Sequence, residues 1–161
     1  MKNTSLIGVI LYLLVSSQYS NAGEGCQSTN IDISGTWNCV GSSIYDNGST
    51  ATSNSTIHYT TADGLNYQFT EFFTVVQTAP EGKTFTSEGT PTLAVYGSAT
   101  GRAVLNGSKL NWWDESAYAD TVDPVDNYHG ISRVSEFSIQ VVADSNPDTQ
   151  SSSNICIRAV T

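Results

Sequence analysis

The residues able to do chemistry are few. Five of the chain's 15 acids fall between positions 114 and 126: Asp114, Glu115, Asp120, Asp123 and Asp126. Hard cations such as calcium take oxygen ligands from acidic loops, which makes Asp114, Asp120, Asp123 and Asp126 weak calcium candidates. The alternating Asp pattern and the terminal Glu of a calcium loop are missing, so the expected role is a solvated loop overhanging a binding mouth, and no metal is assigned. His58 and His129 are the only histidines. The first lies within a strand pattern between Ile57 and Tyr59, and the second in a loop after Tyr128. Two distant histidines and three cysteines do not make a metal site by spacing. The chain carries no Gly-x-Ser-x-Gly elbow, no Gly-rich phosphate loop and no Cys-x-x-Cys. It therefore reads as a non-enzymatic protein with no cofactor.

Aromatic side chains are the better ligand candidates. Trp112 and Trp113 are adjacent on a strand, so one faces inward and one outward. Tyr67, Phe69, Tyr96 and Tyr128 complete the candidate set. Tyr59, Tyr67, Phe69, Phe73, Tyr96 and Phe137 all fall on strand patterns, and most of these six are expected to be core. Asn47, Asn54 and Asn106 each match the glycosylation pattern, which a Ser/Thr-rich chain also produces by chance.

The elements that must position these groups follow from composition. Of 161 residues, 22 are Ser and 19 are Thr. A helical bundle needs Ala, Leu, Glu and Lys instead. Six Lys and Arg stand against 15 Asp and Glu, for a net charge of -9. No basic patch exists to neutralise nucleic-acid phosphates or to hold an anionic membrane surface.

The start reads as a leader. Lys2 precedes the apolar run Leu6–Val15, and Ser20-Asn21-Ala22 offers small residues for cleavage before Gly23. The run is too short to span a bilayer, which takes about 20 apolar residues. Residues 1–22 are thus expected to be a signal peptide, and 23–161 one exported domain, periplasmic or secreted, without membrane insertion. The mature chain keeps five bases against 15 acids.

Turn clusters recur every 8–15 residues between β-branched and aromatic runs. Asp63-Gly64 and Asn106-Gly107 mark tight hairpins. The pattern predicts strands at 35–40, 56–61, 65–72, 84–88, 92–98, 102–105, 108–113, 132–142 and 154–160. The segment 151–153 reads as a turn. About eight antiparallel strands in one short domain suggest an up-and-down barrel, with a β-sandwich as the alternative.

If the first and last strands pair antiparallel, one register opposes Trp37 to Arg158 and Cys39 to Cys156, all on one face. Opposed Cβ atoms lie about 4.5–5.5 Å apart, near bridging range. A guanidinium over an indole adds a cation–π contact of roughly 0.5–2 kcal/mol. A Cys26–Cys156 bridge is the rival pairing, and one cysteine is left over in either case.

The segment Asn30-x-Asp32-x-x-Gly35-x-Trp37, together with Arg158 near the chain end, resembles the opening and closing motifs of the calycins, the lipocalin-like barrels. The resemblance covers about ten residues at one end and a few at the other. It implies an up-and-down barrel whose Trp37 caps the closed end under Arg158, around a cavity for a small apolar ligand. The run Ile33–Asn38 is also similar to the first strand of the avidin branch, but that branch's later Trp-bearing strands have no counterpart. The expected function is carriage of a small, largely apolar molecule. The alternatives are a barrel that binds or inhibits a protein partner through its loops, and a calcium-dependent or carbohydrate-binding sandwich.

Overall fold

Eight antiparallel strands run in sequence order and close on themselves, as the computed structural model shows for residues 31–85, 89–122, 127–146 and 148–160. They are β1 (Gly35–Tyr45), β2 (Thr50–Thr61), β3 (Asn66–Thr78), β4 (Thr92–Asn106), β5 (Lys109–Ala119), β6 (His129–Val134), β7 (Ser138–Asp144) and β8 (Thr149–Arg158). Each strand bonds to its neighbours in sequence, and β1 bonds to β8. The sandwich alternative is thereby excluded. Closure satisfies the backbone groups that an open sheet would leave on its edge strands. The signal-peptide segment and Cys26 lie outside the described residues.

The seam has the register read from the sequence. Trp37 pairs with Arg158 and Cys39 with Cys156. The two cysteines form a disulfide across it.

Alternation sorts the side chains. In β4, Val95, Ala99, Ala103 and Leu105 are buried, while Tyr96 and Val104 face water. Their inward neighbours Gly97 and Gly101 sit under rings. Gly97 is paired with Phe73 and Gly101 with Phe69, and in β6 Gly130 is paired with Trp112. A Cβ at any of these glycines would collide with its partner's ring and with a backbone carbonyl. The rings thus cover glycines that let a small barrel curve. Gly101→Val is accordingly expected to destabilise by about 2–3 kcal/mol in urea unfolding, against under 0.5 for Thr100→Val on the solvent face beside it.

Four expectations are corrected. Thr84 and Phe85 belong to the β3–β4 loop, and 86–88 lie outside the described residues. Thr78 already pairs with Thr92, so the barrel leaves no edge for 84–88 to join. The loop instead closes locally, Lys83 N–H donating to the Pro80 carbonyl and Phe85 N–H to that of Thr90. The run 132–142 is two strands, because Ser135 and Ser138 bond reciprocally and fold 135–137 into a turn. Residues 151–153 are strand, not turn, since β1 supplies their partners. The runs 92–98 and 102–105 join into the single strand β4.

The ends of the barrel differ. The closed end is plugged by the segment before β1. Ile33 and Trp37 are fully buried, and Trp37 Nε1 donates to the Ile33 carbonyl at 2.8 Å. Arg158 lies over the Trp37 ring at 4.5 Å and donates to the carbonyls of Asp32 and Ser34. The β1–β2, β3–β4, β5–β6 and β7–β8 connections surround the other end.

Candidate functional site

The barrel encloses a cavity of about 310 Å³. Its lower wall is aromatic and aliphatic. Tyr59 on β2 pairs with Phe69 on β3, their rings 5.8 Å apart, and Ile139 stands across from them. Trp112 on β5 forms the side wall. Its Nε1 donates to Ser132 Oγ at 3.1 Å, and the Tyr128 ring meets it edge-on at 5.1 Å. The backbone fixes Tyr128 there, because its carbonyl accepts the Asp114 N–H at 2.9 Å.

Two carboxylates enter this aromatic space. Glu71 follows Tyr67 and Phe69 on the inward face of β3, and Asp114 follows Leu110 and Trp112 on that of β5. They flank β4, since Glu71 pairs with Ala99 and Asp114 with Gly101. Glu115 is the extra residue of a bulge at this point, which turns Asp114 and Ala117 both inward. A second bulge, at Val142, turns Asp144 inward rather than Ala143.

Burial raises the Glu71 carboxyl above its usual range, and a hydrogen bond from Ser55 opposes that shift only in part. Burial, reinforced by the Glu71 charge, pushes Asp114 up to about 7. Burial drives the Tyr59 and Tyr128 phenols above their usual range, with both acids adding to the effect. The cavity lining contains no Lys, Arg or His among the described residues. Arg102 lies outside over Trp113, and Arg158 lies over Trp37 at the closed end.

A pH dependence follows. The folded pKa of Asp114 exceeds the unfolded 3.8, so the native state holds a proton that the unfolded chain releases. Stability is therefore expected to fall between pH 4 and about 7 by roughly 2 kcal/mol, after discounting for solvent screening. Glu71 acts in the same direction. Asp32 and Asp63 are held low by hydrogen bonds from Ser34 and Asn66 respectively, so they weaken the fold only below pH 4. Urea midpoints at pH 4.5 and 7.5 check this. Asp114→Asn should flatten most of the decline.

The structure brings together only part of the expected site. Trp112, Phe69 and Tyr128 line the cavity. Tyr67 does not; it is fully buried in the closed end, its hydroxyl donating to the Gly64 carbonyl at 3.1 Å. Trp113 faces outward under Arg102, which also pairs with Glu115 at 3.5 Å. Tyr96 is an outward residue of β4, 56% exposed, because inward Val95 sets the phase. The expected acidic loop is largely strand up to Ala119. Asp114 points into the barrel, whereas Asp120 accepts the Tyr96 N–H at 2.9 Å at the rim. These two calcium candidates therefore diverge, and Asp123 and Asp126 lie outside the described residues. No group of three His, Cys, Asp or Glu suited to a metal occurs among the described residues. His58 and His129 are exposed, bonded to Thr36 and to the Asn127 carbonyl.

Glu71 and Asp144 were not among the expected site residues. The Glu71 signal is present in the sequence, as an acid in phase with Tyr67, Phe69, Phe73 and Val75. Asp144 had none, since its phase depends on the bulge.

No protein-family model matches the chain, and no curated protein is significantly similar to it. Among solved structures it is similar to a de novo designed fluorescence-activating beta barrel, at 14% identity with a TM-score of 0.41. That match covers 80% of this chain and 94% of the other.

Proposed function

We propose that this is an exported, non-enzymatic carrier of the lipocalin-like (calycin) kind, which holds a small, largely apolar molecule inside its barrel. The observation that carries the reading is the cavity itself, lined by the rings of Tyr59, Phe69, Trp112 and Tyr128. Its volume lies at the lower end of the range of small-ligand pockets. The buried Trp37 under Arg158 at the closed end supports the calycin kinship. The Cys39–Cys156 bridge supports export, since disulfides persist in oxidising compartments.

Nile red, a neutral apolar dye, tests the proposal. It should bind one per chain with enhanced emission and quench Trp112. Ala117→Trp, on the cavity wall, should abolish binding without lowering the melting temperature by more than a few degrees. Dye that binds this variant as well as the native protein would be on the outer surface, and the carrier reading would fall.

One observation favours a second reading. Glu71 and Asp114 flank a single strand, and Asp114 sits near neutrality, as general acid–base catalysis requires. Conversion of a bound molecule, rather than its recovery intact, would favour that reading.

A further inference from the structure

The carrier reading leaves the charge of the ligand open, and the cavity lining settles on one sign. Glu71, Asp114 and Asp144 face the interior, and no Lys, Arg or His among the described residues joins them. Glu71 receives a hydrogen bond from Ser55. The Asp114 carboxylate faces the void with no hydrogen-bond donor from the described residues. Carboxylates removed from water need donors or a countercharge. The rings of Tyr59, Phe69, Trp112 and Tyr128 surround the same space. Such rings attract a cation by their faces and an apolar body by contact.

We infer, resting on the carrier reading, that the ligand is a small aromatic or aliphatic amine, bound as an ammonium with its charge between Glu71 and Asp114 and its apolar body on the Tyr59–Phe69–Trp112 wall. An ammonium supplies three donors and no acceptor, matching two carboxylates and the Tyr128 hydroxyl. A neutral molecule gains no charge pairing with Asp114, and an anion would be repelled by either acid once ionised. The apolar walls around the acids take the ligand's body.

Three probes of one shape decide the matter by calorimetry on the mature protein: phenethylamine, 2-phenylethanol and 3-phenylpropionate. The amine should bind at least tenfold more tightly than the alcohol, and the acid should not bind. In the Glu71→Gln/Asp114→Asn protein the amine should lose its advantage while nile red still binds. At pH 6 the amine should also displace close to one proton from the cavity, read as a dependence of the heat on buffer. The groups facing that proton are Asp114, Glu71, Asp144, Tyr45, Tyr59 and Tyr128. Nile red binding with the amine no better than the alcohol would overturn this inference alone. Equal preference in the double variant would do the same. Failure of nile red and all three probes to enter would overturn both this inference and the carrier reading.

Discussion

Breaking the Cys39–Cys156 bridge is expected to cost about 4–5 kcal/mol of unfolding free energy. The bridge joins residues 117 apart in sequence. It therefore holds the two ends of the chain together in the unfolded state, which otherwise gains the entropy of a very long loop. Small domains have only about 5–15 kcal/mol in total, so the loss is a large share. The Cys39→Ala/Cys156→Ala protein compared with native in urea at one pH measures it. A change under about 1 kcal/mol would mean that the β1–β8 pairing holds the seam without covalent help.

Trp37→Ala should have an effect of similar size, about 3–5 kcal/mol, the range for removing a fully buried Trp. The indole is fully buried, bonds to the Ile33 carbonyl and carries Arg158 on its face. Its loss leaves a void in the closed end and strips the cation–π partner from Arg158. Trp37→Phe, which keeps a ring but not the N–H donor, should recover more than half. Equal losses for the two variants would place the energy in the Ile33 hydrogen bond rather than in the ring.

Much of the frame was legible because closure and alternation are strict. Once the first and last strands are paired, one register sets both Trp37 against Arg158 and Cys39 against Cys156, and the fold adopts it. The Asp63-Gly64 and Asn106-Gly107 turns are hairpins because their glycines take positive φ. Misreadings arose where local pattern yields to the rest of the barrel. Thr84–Glu88 has strand composition, but no edge is free to receive it. Tyr96 looks like a ligand aromatic until the phase of β4 is fixed by Val95 and Ala99. Asp114 looked like part of a solvated loop, because nothing local says that β5 continues to Ala119. The bulges at Glu115 and Val142 reverse phase without a sequence mark, so the inward acid at Asp144 was hidden. Glu71 was the missed opportunity. A glutamate on the apolar face of a strand costs stability unless something answers it.

The carrier reading is tested most directly by native mass spectrometry of the protein purified from an exporting host, compared with its denatured spectrum. The account predicts an added mass that remains under native conditions and disappears on denaturation, with the Ala117→Trp protein running bare. Identical native and denatured masses, unchanged after incubation with saturating nile red, would contradict it.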